Sequence, residues 1–340
     1  MNLLIVMILS LVVSLVLTPL VRKKAFDVGA IDIPEERRIH SIPTPRIGGL
    51  AFFLSILLVN LFFNRSLVVE KILFGSTLVF LVGVLDDFIE LKPAPKFWLT
   101  FFAVLFAVLL GVRIESWKIP YTNIVVKGFW ADVISFIWLL GITNAMNFID
   151  GLDGLAGGVA VISSFSLLII SLLLGRLEVA TFLASILGSV LGFLHFNFPP
   201  ASIFMGDSGA MFLGFTLGAI SIVGVLKSST VINLFIPLLV MGFPVLDTAF
   251  SIIRRLWEGR APWKFDKDHI HHRFLKLGMD TKQSIAFIYL ITICMSLVAI
   301  IISVLQDPYI STIILFGTLG LVLFILYKLG VLEVRKNGKV

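Results

Sequence analysis

The sequence predicts an all-α polytopic integral membrane protein, and three observations support that prediction. Apolar residues make up 58% of the 340 positions, charged residues make up 14%, and the mean hydropathy is +1.05. Soluble chains of this length carry more charge. Apolar runs of about 20 residues, enough for a helix to cross a bilayer, recur along the chain. We therefore expect a single transmembrane domain, 1–340, built from membrane-spanning helices.

Apolar runs between charged breaks predict about eleven transmembrane helices. They cover residues 2–21, 47–63, 72–85, 97–112, 129–146, 156–174, 179–196, 210–226, 231–253, 283–304 and 309–327. The first run has no basic residue before it and no small-residue cleavage site after it, which favours a retained helix over a signal peptide. Since eleven is odd, the two termini are expected on opposite sides of the membrane.

The distribution of lysine and arginine predicts the orientation. The loops on one side hold 20 of the 27 basic residues and the loops on the other side hold 7. Basic residues concentrate in cytoplasmic loops, so we expect the N-terminus outside and the C-terminus in the cytoplasm. The catalytic loops then lie on the cytoplasmic face of the plasma (inner) membrane: 22–46, 86–96, 147–155, 197–209 and 254–282. Topology also accounts for the net charge of +6, so nucleic acid is not an expected partner.

The stretch Asn144–Leu155 is the first candidate for chemistry. Asn144, Asn147, Asp150 and Asp153 are spaced three apart, which places them on one drifting stripe of a helix. Glycines follow the two aspartates, and at glycine a backbone can approach a ligand closely. Carboxamides and carboxylates in this setting suit a hydrated divalent cation or a nucleotide. The alternative is a polar helix end capped by Asp and Gly.

Acidic residues end several predicted spans on the same side, namely Asp86, Asp87, Asp150, Asp153 and Asp207. Clustered carboxylates repel one another, so a cation is expected among them. The single cysteine, Cys294, excludes a cysteine metal site, and oxygen ligands that include Asn147 favour Mg²⁺ or Mn²⁺. The loop 254–282 contains DKDHIHHRF, whose His and Arg residues suit a pyrophosphate. Together these groups indicate phosphoryl transfer.

Two further features carry local predictions. Asp247 lies inside the ninth span, after a break at Gly242–Phe243–Pro244 and about two turns before Arg254. It is either a buried ion-pair partner of that arginine or a member of the site. The loop 113–127 alternates apolar and polar residues around Pro120, which predicts a short hairpin.

Five motifs, taken together, resemble the polyprenyl-phosphate N-acetylhexosamine-1-phosphate transferase family, whose members include MraY, WecA and TagO. They are HSIPTPRIGG (His40–Gly49), GVLDDFIELKPAPK (Gly83–Lys96), NAMNFIDGLDGLAGG (Asn144–Gly158), FMGDSGAMFLG (Phe204–Gly214) and DHIHHR (Asp268–Arg273). They occur in family order across most of the chain. The resemblance implies a transfer of sugar 1-phosphate from a UDP-linked sugar to a membrane polyprenyl phosphate, with release of UMP.

The resemblance also implies roles for individual residues. Asp86 and Asp87 would handle the acceptor phosphate, with Asp86 the favoured base, and Asp150 would support the site. Asp207 and Asn147 would bind Mg²⁺, and Lys96 would contact phosphate. Gly151 and Asp153 would meet the uracil. The remaining substrate-binding positions would be Arg46, His269, His271, His272 and Arg273.

Two loops indicate the branch of the family. HIHHR and HSIPTPRIGG resemble the WecA/TagO branch, which uses UDP-GlcNAc and undecaprenyl phosphate for cell-envelope polysaccharide synthesis. The alternatives are the MraY reaction, with UDP-MurNAc-pentapeptide as donor, and more remotely a secondary transporter. A transporter would place acids near the membrane midplane and contain two related halves. Assembly as a homodimer is a further option.

Overall fold

The computed structural model describes residues 2–32, 43–118, 122, 124–224, 235–259, 268–305 and 307–332, and α-helices dominate these ranges. The helices are α1 (Leu3–Asp27), α2 (Gly49–Phe63), α3 (Leu67–Ile89), α4 (Pro93–Leu109), α5 (Phe129–Ile149), α6 (Leu155–Leu173), α7 (Leu177–Asn197), α8 (Gly206–Ala219), α9 (Phe235–Val240), α10 (Gly242–Trp257), α11 (Ile270–Lys276), α12 (Thr281–Leu305) and α13 (Pro308–Lys328). A π-helical turn, Ile220–Gly224, continues α8.

Each predicted span overlaps a helix or a pair of helices, so the all-α polytopic membrane class is confirmed. In the described part of the chain, eight helices are long and apolar enough to cross a membrane. Helices α2 and α4 are apolar but shorter, and the ninth predicted span is the broken pair α9 and α10. The number of eleven crossings and the orientation of the termini remain predictions.

The break in the ninth span lies at Met241, one residue before the predicted Gly–Phe–Pro break. Pro244 therefore falls in the first turn of α10, where a helix needs no backbone N–H from it. The loop after α4 also agrees with the sequence, because strand β3 (Ser116–Lys118) pairs antiparallel with β4 (Val125–Lys127). A second small sheet joins β1 (Ile31–Asp32) to β2 (Thr44–Pro45).

Helix α8 is the centre of the bundle, because 12 of its 14 residues are buried. It packs between α3 and α5. Thr216 donates a hydrogen bond to Ser76 of α3 at 2.8 Å, and Trp138 of α5 donates to the carbonyl of Gly218 at 3.2 Å. Phe212 packs edge-on against Phe53 of α2, with 5.3 Å between ring centroids. These contacts join the C-terminal half of α8 to the middle of α3 and α5, and the N-terminal end of α8 lies beside the C-terminal ends of both helices.

Helices α1 and α7 pack tightly through small residues. At Gly188 and Gly192 of α7, an added Cβ would collide with the carbonyl oxygens of Met7 and Leu11 in α1. The buried Ser55 of α2 donates to the carbonyl of Ser10 and accepts from Ser189, each at 2.8 Å. Small residues allow such close packing between helices in a membrane, where packing and hydrogen bonds drive association.

Candidate active site

Four helix ends meet at the side chain of Lys96. Its Nζ lies 2.9 Å from Oδ2 of Asp86, 2.9 Å from Oδ2 of Asp207 and 3.0 Å from Oδ1 of Asn147. The Nδ2 of Asn147 donates a hydrogen bond to Oδ1 of Asp207. Asp86 and Asn147 lie in the last turns of α3 and α5. Lys96 and Asp207 lie in the first turns of α4 and α8. The structure therefore brings together residues from three of the five motifs.

Asp87 does not pair with Lys96 but binds the first turn of α8. Its two carboxylate oxygens accept the backbone N–H groups of Asp207, at 2.7 Å, and Ser208, at 3.1 Å. Met205, at the N-cap of α8, makes no side-chain cap hydrogen bond, so Asp87 supplies that cap from α3. Gly206 has φ +76°, and an added Cβ would lie 2.7 Å from Oδ2 of Asp87. Only glycine suits that position.

Arg46 lies beside the same helix start. Its carbonyl oxygen is the atom that an added Cβ at Gly206 would strike, and its Nη1 donates to Oε1 of Glu90 at 2.6 Å. The Nε of Arg46 is buried and has no hydrogen-bond partner among the described residues. The beginning of its motif, residues 40–42, lies outside the described residues.

The four residues of the Asn144–Asp153 stripe take different positions. Asn144 donates to the carbonyl of Leu140 in its own helix, at 2.7 Å, whereas Asn147 joins the Lys96 cluster. Asp153 accepts from the backbone N–H of Ala201 at 2.9 Å.

Burial raises the pKa of Asp150 well above its usual value, and the carboxylates of Asp207, Asp87 and Asp153 raise it further. Removal from water and negative neighbours both disfavour the charged form.

Two residues that the sequence did not single out hold the loop 150–154. Asn197 accepts from the N–H of Gly154 at 3.0 Å and donates to the carbonyl of Ile203 at 3.0 Å. Tyr289 of α12 donates to the carbonyl of Gly154 at 2.6 Å. Asn197 lies at the end of α7, and no carboxylate is near it in the sequence. The search for clustered acidic residues therefore did not find it. Tyr289 lies within an apolar span.

One histidine of the fifth motif, His271, packs onto this loop. His271 is buried, its ring is stacked on His269 with 5.7 Å between centroids, and its Nε2 faces Gly151. Both ring nitrogens of His271 are buried without a hydrogen-bond partner in the described ranges. Burial lowers the pKa of His271 to about 3, so the ring is neutral at pH 7. Burial also lowers the pKa of His272.

Asp268 gathers the basic side chains of this segment. Its carboxylate lies 2.6 Å from Arg254 Nη1, 2.6 Å from Arg273 Nη2 and 2.5 Å from Lys276 Nζ. Burial raises the pKa of Asp268, but hydrogen bonds from Lys276 and Arg273 outweigh burial, and the pKa lies below its usual value. Arg273 also donates to the carbonyl of Val331 at 2.7 Å. Its side chain is thus held on the protein, and its predicted substrate contact stays a prediction.

Asp247 pairs with a different residue from the one expected. Its Oδ2 lies 2.6 Å from Nδ1 of His269, whereas Arg254 reaches Asp268. The ion pair between Asp247 and Arg254 that the sequence offered is therefore not formed, and Asp247 has a histidine as its partner instead. Arg254 lies two turns further along α10, and the segment after residue 267 folds back between them. Residues 260–267, including Asp266, lie outside the described residues.

The donor atoms at Lys96 agree in chemistry with a hard divalent cation. Two carboxylate oxygens and one carboxamide oxygen point at one position, and such oxygens are the ligands of Mg²⁺. No group of three His, Cys, Asp or Glu side chains suited to a metal occurs within the described residues. The two predicted ligands, Asp207 and Asn147, are nevertheless adjacent, and together with Asp86 they surround the Lys96 ammonium in this structure.

Comparisons with known proteins show which proteins this chain is similar to. A family model described as Glycosyl transferase family 4 matches residues 69–225. A probable undecaprenyl-phosphate N-acetylglucosaminyl 1-phosphate transferase of Bacillus subtilis (strain 168) is 36% identical over 299 residues, covering 87% of this chain and 83% of that protein. A decaprenyl-phosphate N-acetylglucosaminephosphotransferase of Mycolicibacterium smegmatis is 35% identical over 305 residues, covering 79% and 74%. A phospho-N-acetylmuramoyl-pentapeptide-transferase of Clostridioides difficile (strain 630) is 30% identical over 318 residues, covering 88% and 95%.

Proposed function

We propose, since this chain belongs to the polyprenyl-phosphate N-acetylhexosamine-1-phosphate transferase family, that it transfers N-acetylglucosamine 1-phosphate from UDP-GlcNAc to undecaprenyl phosphate. The observation that supports this proposal best is the convergence of Asp86, Lys96, Asn147 and Asp207 at one end of the bundle. A phosphate of the donor and the phosphate of a membrane lipid both need cations at the membrane surface. A cluster at helix ends meets that need, whereas a midplane site would not.

The reaction balances without a further reactant. An oxygen of the lipid phosphate attacks the phosphorus of the sugar 1-phosphate, the bond from that phosphorus to the oxygen of UMP breaks, and UMP leaves with that oxygen. Charge develops on the phosphoryl oxygens, and Lys96 is placed to stabilise it. When bound, Mg²⁺ supplies charge neutralisation and orientation of the phosphates. Asp207 and Asn147 would hold it.

Asp86 is placed to position charge rather than to take a proton. Its Oδ1 accepts from the N–H of Leu91 at 2.8 Å, and its Oδ2 pairs with Lys96. A phosphate monoester is largely dianionic at pH 7, because its second pKa is about 6. The acceptor therefore needs little help in losing a proton. Asp86 then orients Lys96 for the phosphates.

The choice of donor rests on two loops and on the relatives. HIHHR and the loop that contains Arg46 match the branch that uses UDP-GlcNAc. The relatives in Bacillus subtilis and Mycolicibacterium smegmatis are named for N-acetylglucosamine. The distribution of basic residues favours the cytoplasmic face of the plasma membrane, where UDP-sugars occur, as the side of the Lys96 cluster. The MraY reaction is the second candidate, and the relative from Clostridioides difficile is named for it.

A donor assay tests the proposal. Purified protein in detergent with undecaprenyl phosphate and Mg²⁺ is given UDP-GlcNAc, UDP-GalNAc or UDP-MurNAc-pentapeptide, and UMP release is measured. We expect UMP from UDP-GlcNAc and a loss of turnover in excess chelator. Release from UDP-MurNAc-pentapeptide alone would move the chain to the second candidate, and release from none of the donors would contradict both.

The matched variants are Asp207→Asn and Asp132→Asn. Asp207→Asn removes one of the two carboxylates at the Lys96 cluster, and we expect kcat to fall by about 100-fold or more, as for other groups that stabilise transition-state charge. Asp132 pairs with Arg113 at 2.8 Å in the first turn of α5, at the other end of that helix, and Asp132→Asn should leave kcat within about twofold. Equal activity of Asp207→Asn and the parent would remove the metal assignment.

A further inference from the structure

The carboxylate of Asp247 is fully buried in α10, and the reaction proposed above gives it no task. Its Oδ1 accepts the backbone N–H of Ile270 at 2.6 Å, and its Oδ2 lies 2.6 Å from Nδ1 of His269. Ser251, one turn further along the helix, lies 3.2 Å from the same nitrogen. Buried carboxylates are retained only with partners that compensate for lost hydration. Asp247 has two such partners, and both belong to the fifth motif.

This pairing fixes which nitrogen of His269 is available to a ligand. A carboxylate only accepts hydrogen bonds, so Nδ1 of His269 carries the hydrogen and points at Asp247. The other nitrogen, Nε2, has no hydrogen-bond partner in the described part of the chain. In the neutral ring Nε2 holds a lone pair, and it can then accept a hydrogen bond.

The ring of His269 lies beside the end of α5, which leads into the loop that the family resemblance assigns to the nucleotide. It is nearly parallel to the ring of His271, at 10° and 5.7 Å, and 5.6 Å from the ring of Phe148. Phe148 follows Asn147 in sequence, and His271 faces Gly151. Asp247 is thus connected to the donor side of the site through one ring.

We propose that Asp247 is a positioning residue that fixes the tautomer of His269, so that Nε2 accepts a hydrogen bond from an O–H or N–H group of the sugar-nucleotide donor. This inference rests on the proposed function and deepens it. The diphosphate of the donor offers only acceptors, whereas the sugar, the ribose and the uracil offer O–H and N–H groups. A ring nitrogen that accepts a hydrogen bond can therefore contact the sugar, the ribose or the uracil of the donor, but not its phosphates.

The variant Asp247→Asn reverses the tautomer with little change in shape. Its Oδ1 is still needed by the N–H of Ile270, so its NH₂ group faces Nδ1 of His269 and donates to it. The hydrogen of the ring then moves to Nε2. This nitrogen can no longer accept a hydrogen bond from an O–H or N–H group of UDP-GlcNAc. We expect the Kd and the KM for UDP-GlcNAc to rise by about 10- to 100-fold, the effect of losing one buried hydrogen bond and leaving its partner unpaired. We expect kcat to change by less than about threefold, since the contact is made equally before and during reaction.

A double-mutant cycle separates positioning from a structural role. In a His269→Gln background, Asp247→Asn should add no further rise in Kd, because the ring through which it acts is gone. A purely structural Asp247 would lower the melting temperature and weaken binding by the same factor in both backgrounds, and that result would overturn the proposal. The control Asp132→Asn should leave Kd unchanged.

Binding is measured by calorimetry with UDP-GlcNAc, so the result does not depend on turnover. If the unmutated protein binds UDP-GlcNAc but releases no UMP, the proposed function is contradicted. The double-mutant cycle can still be measured, because it uses binding alone. If Asp247→Asn does not fold, His269→Gln decides the matter: it must weaken UDP-GlcNAc binding by about 10-fold or more at an unchanged melting temperature. Unchanged binding in His269→Gln would overturn the inference.

Discussion

The adjacent carboxylates of Asp86 and Asp87 are bound by different partners, although their sequence context is the same. Asp86 pairs with Lys96 and accepts from Leu91, whereas Asp87 accepts two N–H groups at the start of α8. Neighbouring residues on a helix point about 100° apart, so two such side chains reach different elements. The sequence predicts that both carboxylates lie at one helix end. It does not predict which partner each of them binds.

Asp86→Asn and Asp153→Asn should impair different kinetic constants. Loss of the Asp86 charge removes one of the two carboxylates that orient Lys96, and we expect kcat to fall by about 100-fold or more. The defect should not shrink as pH rises from about 7 to about 9, because positioning does not depend on the second phosphate pKa of about 6. Asp153→Asn keeps an acceptor for Ala201 and should mainly raise the donor KM, by about 10-fold. A defect in Asp86→Asn that shrinks as pH rises would show a base instead.

His271 should make stability depend on pH. The pKa of the folded ring is about 3, below its ordinary value of 6.5. Below pH 6.5 the unfolded chain binds a proton that the folded chain does not, so this group removes about 1.4 kcal/mol of stability per pH unit between pH 6.5 and 3. His271→Phe should flatten the fall in melting temperature between about pH 6.5 and about pH 4.5. Parallel curves for the parent and the variant would contradict the burial of this ring.

At the scale of helices, much of the site was predictable because span ends alternate between two sides. That rule placed Asp86, Asn147 and Asp207 at one edge, and the structure brings them together at Lys96. The partner of Asp247 was not predictable, because it depends on how residues 268–276 fold back onto α10. Asn197 and Tyr289 were missed because their amide and hydroxyl groups bind backbone atoms of a distant loop, which no spacing in the sequence reveals.

The packing of α1 on α7 predicts a strong effect of a single methyl group. An added Cβ at Gly188 collides with a backbone carbonyl in α1, which cannot move aside alone, so Gly188→Ala should cost about 1–3 kcal/mol of stability. At Gly317 in α13 an added Cβ meets nothing within 4 Å, and Gly317→Ala should be neutral or slightly stabilising. Melting temperatures in detergent compare the two variants. Equal effects would show that α1 does not approach α7 this closely.

At the scale of the whole molecule, cysteine labelling tests the orientation. Cys294 is exposed and is first replaced by serine. Single cysteines at Lys92 and Lys282, both exposed, lie on the side of the Lys96 cluster, and we expect membrane-impermeant reagents to label them only from the cytoplasm. A cysteine at the exposed Lys71 should be labelled only from outside. The reverse pattern would separate the cluster from UDP-sugars and contradict the proposed function.

The contact between α1 and α7 also has a consequence for synthesis. Helix α1 ends at Asp27 and α7 begins at Leu177, and ribosomes add about 5–20 residues per second. The first helix therefore waits roughly 8–30 seconds in the membrane before its partner is made. During that time the part of α1 that packs on Gly188 and Gly192 in the finished protein is not covered by α7. Helix α2 follows α1 closely in the chain and contacts it through Ser55 and Ser10, but the face of α1 that packs on α7 stays uncovered when a ribosome stalls before α7.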